Sequence, residues 1–244
     1  MLIPLTYSPC RAQPLPTGDY TNTQPYEGRG WCWMECCASG LVKDDGALIR
    51  LSKLTGEEKD YGEVCENGRS DRAPPRPPAP FADGLASDVE RGVKKFTNKG
   101  DVGLVSGIYE KAFTKVMHAA TKLYYPNLGW DDAAGVVLCE ALRSAHAHGG
   151  LRELERLNLA RNKLGDETAA ALAALVQEEG ALPKLETLNL FDNQLGEAGM
   201  TALAAAIRGG ALPACTEIDL GGNPGSVAPV REAAAQRGGM RIRG

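Results

Sequence analysis

The chain has 244 residues, of which 43% are hydrophobic and 24% are charged, so it is long and apolar enough for one large core or two small ones. Its 27 Lys and Arg residues and 31 Asp and Glu residues give a formal net charge of −4 without any block of like charge. This balance excludes the basic surface that is typical of proteins that bind nucleic acid or an anionic membrane.

The first residues, MLIPLTYSPC, do not resemble a signal peptide, because they contain no basic region and Pro4 and Pro9 interrupt the apolar run. No apolar stretch of the sequence is long enough to span a bilayer. The seven cysteines are odd in number and irregularly spaced, which favours reduced thiols over a disulfide framework. We therefore expect a cytoplasmic protein.

The first predicted element lies within YEGRGWCWMECCASGLVK, residues 26 to 43. Helical intervals separate Trp31, Met34, Glu35, Ala38 and Leu41. This spacing predicts a helix that follows the Gly-rich loop and ends at KDDG. We interpret Trp31 and Trp33 as anchors that pack the helix against the core, with Glu35 in a local cap or ion pair.

Three chemical roles are open for the cysteines of this stretch. Zinc needs four ligands, but Cys32, Cys36 and Cys37 form no C-x-x-C pair, and the three histidines of the chain lie far away in sequence. A cysteine nucleophile would need a base, which the sequence does not place nearby. The adjacent Cys36 and Cys37 could form a redox pair, although buried thiols are usually inert. We expect neither a metal nor a cofactor.

The segment APPRPPAP, residues 73 to 80, is the clearest boundary in the chain. Its prolines favour a semi-rigid polyproline II spacer over a helix or a central strand. The spacing of Pro74, Pro77 and Pro78 around Arg76 also fits a ligand for SH3 or WW domains. The predicted organisation is an N-terminal unit at 1–72, a linker at 73–80, a helical connector at 81–122 and a repeat domain at 123–244.

Two helices are predicted after the linker. The first begins at Ser87, because Glu90 three residues later completes a capping-box spacing. The second begins at Asp101, which we expect to cap it, and it carries one apolar face. That face comprises Val102, Val105, Ile108, Tyr109, Ala112, Phe113 and Val116. We interpret it as core packing, because helical spacing alone indicates no ligand chemistry.

From residue 151 onward the chain repeats itself. LRELERLNLARNKLGDETAAALAAL is followed by LPKLETLNLFDNQLGEAGMTALAAAI and then by CTEIDLGGNPG. The pattern then breaks down in a tail rich in Gly, Ala and Arg, which we expect to be the C-terminal cap of the array. The scaffold positions are Leu154, Leu157, Leu159 and Asn162, then Leu185, Leu188, Leu190 and Asn193, then Ile218, Leu220 and Asn223. We expect the apolar side chains to fill a shared core and the Asn side chains to bond backbone groups of the turns.

The exposed positions of the three predicted strands should form one surface, because strand residues alternate between core and solvent. They are Arg156, Asn158 and Ala160, then Thr187, Asn189 and Phe191, then Glu217, Asp219 and Gly221. This surface carries both signs of charge and one aromatic ring. Phe191 is the predicted anchor for a protein partner, and the alternative is that these residues are simply solvated.

The unit of a short strand and an alanine-rich helix resembles the leucine-rich repeat of ribonuclease-inhibitor type, which NOD-like receptors also use. The resemblance covers residues 151 to 226. It extends more weakly to KLYYPNLGWDDAAGVVLCEAL, where Pro126 stands at the position expected for Asn. The resemblance implies a short α/β solenoid of three or four units that binds a protein on its strand surface.

The segment RGWCWME is similar to the R-x-W-C-x-x-E segment of TIR domains. This resemblance implies that Glu35 is a catalytic carboxylate that cleaves the glycosidic bond of NAD, with Trp31 beside the nucleotide. However, a TIR fold places strands ahead of this helix, where the present sequence has a short, proline-rich stretch. The region also resembles a domain found beside leucine-rich repeats in unicellular algae and other protists, from which no function follows.

We therefore predict an α+β protein, in which a short leucine-rich-repeat horseshoe is preceded by a small irregular α/β segment. We interpret that segment as a truncated or degenerate domain. The predicted function is protein–protein recognition by the repeat array. The alternative is a TIR-like NAD-cleaving effector fused to a sensing array, in which case the protein is an NAD glycohydrolase.

Overall fold

The computed structural model describes residues 28–42, 53–68, 72–98 and 100–244. The helices are α1 (Gly30–Val42), α2 (Tyr61–Asn67), α3 (Pro78–Glu90), α4 (Asp101–Ala119), α5 (Asp132–Ala147), α6 (Asp166–Val176), α7 (Glu197–Arg208) and α8 (Ala228–Arg237). The strands are β1 (Lys122–Tyr124), β2 (Arg156–Asn158), β3 (Thr187–Asn189), β4 (Glu217–Asp219) and β5 (Arg241–Arg243). Strands and helices alternate from β1 onward.

The five strands form one parallel sheet in the order β1-β2-β3-β4-β5. Parallel neighbours need a crossover connection, and one helix from α5 to α8 supplies each of them. The central residues of the strands lie in register and pack into the core: Leu123, Leu157, Leu188, Ile218 and Ile242. Helices α5 to α8 stack side by side and bury their side chains in the same core. The predicted short solenoid is confirmed in this mixed helix-and-strand form.

The predicted scaffold residues line this core. Each of them is at most 1% exposed: Leu154, Leu157, Leu159, Leu185, Leu188, Leu190, Ile218 and Leu220. Burying one such side chain stabilises a fold by about 1.5 to 3 kcal/mol. Because every repeat contributes several, the solenoid is stabilised mainly by this column of aliphatic side chains.

Asn162 and Asn193 are buried and connect successive turns, as predicted. The side-chain amide of Asn193 donates to the carbonyl oxygens of Leu159 and Leu190 at 3.0 and 3.1 Å. Its Oδ1 accepts from a backbone N–H of the preceding repeat at 3.1 Å. Asn162 and Asn223 bridge their own neighbouring turns in the same way. These side chains satisfy backbone groups at the points where the short strands end.

The first repeat has no Asn of its own at the ladder position and is hydrogen-bonded by Asn162 of the second repeat. Leu123 pairs with Leu157, so the position equivalent to Asn162 is Leu128, and the prediction that Pro126 occupies it is wrong. The backbone N–H of Leu128 donates to Asn162 Oδ1 at 2.9 Å. A leucine is tolerated there because the next repeat supplies the hydrogen-bonding side chain.

A second ladder, which the sequence analysis missed, connects the helix N-termini. Oδ1 of Asp132 accepts from the backbone N–H groups of Gly165 (2.7 Å) and Thr168 (3.0 Å) and from the Thr168 hydroxyl (2.6 Å). Asp166 accepts from Gly196 and Gly199 of the next repeat at 2.7 and 2.9 Å. Burial favours a higher pKa for Asp132, but these hydrogen bonds outweigh it and hold the pKa below its usual range.

The tail in which the repeat pattern was expected to break down forms one more helix and strand. Helix α8 buries Val230, Ala233 and Ala234, and β5 adds a fifth strand with Ile242 opposite Ile218. The repeat pattern is hard to recognise here because small alanines replace the leucines of the helix. The other face of α8 is exposed and polar, as expected of a helix that covers the end of a solenoid.

Helices α1, α3 and α4 pack together ahead of the sheet. The helix predicted around Trp31 and Trp33 is confirmed as α1. The Trp33 ring stacks on Phe81 with centroids 4.7 Å apart, and Phe81 stacks on Tyr109 at 3.8 Å. Trp31 is half-buried and joins the same core, so both tryptophans contribute to packing, as we had interpreted them.

Three predictions for the segment after Arg72 are wrong. Helix α3 begins at Pro78 and ends at Glu90, so Ser87 lies in its last turn and residues 78–80 are not part of an extended spacer. The prolines fit because the first turn of a helix does not need their N–H groups. Asp101 does not cap α4 either, since its Oδ2 accepts from the indole N–H of Trp31 at 2.9 Å.

The apolar face of α4 is largely as predicted. Val105, Tyr109 and Phe113 are buried, and Met117 continues their row. Ile108 is an exception, because 37% of its surface is exposed. It lies at the margin of the face, where no neighbouring helix covers it within the described part of the chain.

Arg72 joins the N-terminal helices to the first repeat. Its guanidinium donates to the carbonyl oxygen of Gly40 in α1, and its Nη1 donates to that of Tyr124 in β1 at 3.0 Å. It also lies over the Tyr125 ring, 4.5 Å from the centroid. The indole of Trp130 in turn donates to the Arg72 carbonyl at 2.6 Å. These contacts connect the N-terminal helix α1 directly to the first repeat.

Candidate binding face

The solvent-exposed side of the sheet is the candidate functional surface, and we call it the strand face. It consists of the two residues that flank the buried central residue of each strand, together with Phe191 in the turn after β3. In register, the strand residues form one row of Lys122, Arg156, Thr187, Glu217 and Arg241 and a second row of Tyr124, Asn158, Asn189, Asp219 and Arg243. The strand face brings together the predicted positions Arg156, Asn158, Thr187, Asn189, Glu217 and Asp219. The parallel pairing spaces neighbouring side chains of a row by about 4.8 Å.

Three side chains of the second row shape the turns beneath it. Oδ1 of Asn158 accepts from the backbone N–H of Ala160 at 3.0 Å, and Oδ1 of Asn189 accepts from that of Phe191 at 2.9 Å. Asp219 makes the equivalent bond to Gly221 at 3.1 Å. These Asx-type turns fix the chain direction after each strand. The three side chains are half-buried, so a partner would contact only part of each.

Phe191 is the aromatic residue at the end of β3, and 37% of its surface is exposed. Its ring extends over Gly221 of the next repeat, where an added Cβ would lie 3.2 Å from Cδ2 of the ring. Ala160 occupies the same position one repeat earlier, but only 8% of it is exposed, so the prediction that it faces solvent is wrong. A methyl group is too short to emerge from beneath the turn, whereas a phenyl ring reaches the surface.

The sequence analysis missed the two outer strands of this face. Lys122 and Tyr124 extend it on one side, and Arg241 and Arg243 extend it on the other. In KLYY, Leu123 aligns with the buried leucines of the later repeats. This alignment could have identified Lys122 and Tyr124 as exposed residues of the face. Tyr124 is 37% exposed and is the second aromatic ring on the face.

Only part of the charge on the face is paired within the described structure. Arg243 holds Glu217 in a two-point ion pair, with 2.9 Å between Nε and Oε1 and 3.3 Å between Nη2 and Oε2. On β1 and β2, Lys122 and Arg156 are exposed and lie side by side in register. Neither makes an ion pair with a residue that the structure describes.

The second candidate site surrounds Glu35 on α1. Glu35 is exposed, and Trp31, one turn earlier, directs its indole N–H to Asp101. Trp33 is engaged in the stack with Phe81. Among the described residues no strand precedes β1, so the sheet on which a TIR domain builds its nucleotide pocket is not found there.

The adjacent cysteines of α1 differ in their surroundings. Burial raises the pKa of Cys37 to about 12, which disfavours the thiolate, whereas its neighbour Cys36 is exposed. No disulfide joins the six cysteines that the structure describes. Over the same ranges, no three side chains of His, Cys, Asp or Glu converge to hold a metal ion. None of the helices in these ranges is long and apolar enough to cross a bilayer.

Comparison with known proteins agrees with the repeat geometry. Residues 151–173 and 181–204 match the family described as Leucine Rich repeat. These matches contain β2 with the start of α6 and β3 with the start of α7. No curated protein matches the chain. The chain is thus similar to leucine-rich repeat proteins in two successive units, and the sheet extends the same geometry to one further strand before them and two after them.

Proposed function

We propose that this protein recognises a protein partner through the strand face. The observation that carries the proposal is the combination of two matched leucine-rich repeats with a five-stranded parallel sheet whose outer side is open. Solenoids commonly use such an extended face for binding. The exposed ring of Phe191, supported from below by Gly221, is the proposed anchor.

The proposal also covers the type of repeat, the division of the chain into parts and the location in the cell. One helix of 11 or 12 residues follows each matched strand, which supports the ribonuclease-inhibitor type of repeat. We propose that residues 123–244 are the binding scaffold and that α1, α3 and α4 cover its N-terminal end. A separate, truncated domain at residues 1–72 stays a prediction. We also propose a cytoplasmic protein whose partner is neither nucleic acid nor membrane.

A photo-crosslinking experiment tests the proposed face. A photoreactive phenylalanine at position 191 should trap a partner in cell extract, whereas the same group at the exposed position 205 on α7 should not. With the trapped protein purified, Phe191→Ala should weaken binding by about tenfold, the usual effect of losing an aromatic anchor, and Ala205→Ser should leave it unchanged. Equal crosslinking at both positions, or equal affinity of both variants, would contradict the proposal.

The TIR-like alternative remains a prediction that no specific observation favours. It assigns catalysis to Glu35 and the nucleotide contact to Trp31, whose indole is already bonded to Asp101. The discriminating measurement is NAD consumption by the purified protein. Loss of NAD that disappears in Glu35→Gln, while the melting temperature stays unchanged, would establish the enzymatic function against our proposal.

A further inference from the structure

A group of four basic side chains lies on the strand face and in the turn that follows β2. Lys122 and Arg156 lie on β1 and β2, and Arg161 and Lys163 lie in the turn that follows β2. We call these four residues the basic cluster. All are exposed, and none takes part in an ion pair with a described residue. This concentration of positive charge is notable in a chain whose formal net charge is −4.

The arrangement is unfavourable for the isolated protein. Lys122 and Arg156 are register partners on neighbouring parallel strands, so their backbones are about 4.8 Å apart. Like charges in such positions destabilise a sheet. On the far side of the face, Arg243 of the second row pairs with Glu217 of the first row, whereas Arg241 is exposed and makes no ion pair with a described residue. Negative charge supplied by a partner would relieve the repulsion between Lys122 and Arg156.

Two aromatic rings border the basic cluster. Tyr124 follows Lys122 by two residues on β1, and Phe191 lies at the end of β3, one repeat beyond Arg156. Each is 37% exposed. Alternate side chains of an extended peptide are about 6 to 7 Å apart on one side, so two carboxylates and an apolar side chain would span this part of the face.

We propose that the strand face binds an acidic peptide segment of its protein partner, with partner carboxylates on the basic cluster and a partner apolar side chain between Tyr124 and Phe191. The proposal rests on the proposed function, because it names the chemistry of the partner at that same face. Negative charge on the partner then determines specificity and the rate of association. An extended backbone leaves alternate side chains available for the cations and the rings.

A peptide selection tests this proposal with the full chain as bait. Displayed random linear peptides that bind should be enriched in Asp and Glu and contain an apolar residue. A synthetic acidic peptide of that type should lose about tenfold or more in affinity when Arg156 is changed to Glu, and a similar factor when salt is raised from low to high concentration. Its Asn and Gln counterpart should bind at the level of the Arg156→Glu variant.

Matched variants keep the result interpretable. Arg208→Glu makes the same charge change at an exposed position on α7 and should leave the affinity unchanged. Arg161→Glu, in a turn rather than a strand, repeats the test without altering the sheet. Melting temperatures of all variants establish that they are folded.

The other outcomes separate this proposal from the proposed function. Selection of neutral or basic peptides whose binding still depends on Phe191 would overturn the acidic-partner proposal and retain protein recognition. Peptides that bind independently of both Phe191 and Arg156 would contradict both. Tighter binding of a single-stranded oligonucleotide than of the acidic peptide would overturn the proposal in favour of nucleic acid, and self-association lost in Arg156→Glu would overturn it in favour of a second copy of the chain.

Discussion

The buried Asn ladder allows a graded prediction of stability. In Asn162→Ala, three backbone groups lose the one hydrogen-bond partner that they have within the described ranges: the N–H groups of Leu128 (2.9 Å) and Trp130 (3.2 Å) and the carbonyl of Tyr125 (2.8 Å). An unsatisfied buried polar group costs about 1 to 3 kcal/mol. With partial relaxation at the three sites, we expect the free energy of unfolding to fall by about 3 to 5 kcal/mol.

The same substitution one repeat later should cost less. In Asn193→Ala, the N–H of Leu164 loses its partner, but the three carbonyls that Asn193 bonds each keep another donor. Those donors are Asn162 for Leu159, Asn223 for Leu190 and the Arg161 N–H for Phe191. A single buried donor left unsatisfied gives an expected loss of about 1 to 3 kcal/mol. The order of the two effects therefore follows from counting orphaned groups and not from burial, which is similar at the two positions.

Urea unfolding followed by circular dichroism measures these differences. Asn158→Ala is the matched control, because it removes a half-buried side chain with one backbone bond at 3.0 Å and should cost about 0.5 to 1.5 kcal/mol. Equal losses for all three variants would refute the argument that the Asn side chains stabilise the solenoid by satisfying buried backbone groups. A larger loss for Asn193→Ala than for Asn162→Ala would refute the counting.

Three further changes test other contacts. Gly135→Ala should destabilise the protein by about 2 kcal/mol, because its Cβ would lie 2.1 Å from Thr168 Oγ1, whereas Gly107→Ala meets open space and should raise the melting temperature through helix propensity. The folded pKa of Asp132 is depressed, so wild type should be more stable than Asp132→Asn above pH ~4 in urea titrations, with the difference vanishing as the pH falls through the folded pKa. Tyr125→Phe removes a buried hydroxyl that has no partner in the described structure, so calorimetry should show unchanged or higher stability, and a marked loss would reveal a missing contact.

The interior of the repeats was predictable because one physical rule governs it. Leu157 and Leu188 recur with the same flanking pattern, and a buried strand residue tolerates little besides an aliphatic side chain. Asn162 and Asn193 were equally visible, since a turn without sheet partners needs a side chain that both donates and accepts. The outer strands were harder to recognise. The repeat of β1 has Leu128 in place of the Asn, and the repeat of β5 is preceded by a helix that packs through alanines and not leucines.

The N-terminal part shows where local pattern fails. Ser87 and Glu90 have the spacing of a helix start, yet Pro78 begins the helix, because α3 packs on α4 through Phe81 and this tertiary contact determines its extent. The bond between Trp31 and Asp101 joins residues 70 positions apart, which no sequence spacing encodes. The strand face was found in part, since alternation identifies exposed positions but not which charges lack partners.

The guanidinium of Arg72 has a consequence for how this sheet could grow. It occupies the carbonyl of Tyr124 on the edge of β1 that faces away from β2, and its charge sits where an incoming strand would have to lie. Charged groups at a sheet edge oppose strand addition. Strand addition is therefore disfavoured beside β1 relative to β5. Because open-ended filaments require both edges of a sheet to pair, Arg72 opposes fibrous assembly through this sheet.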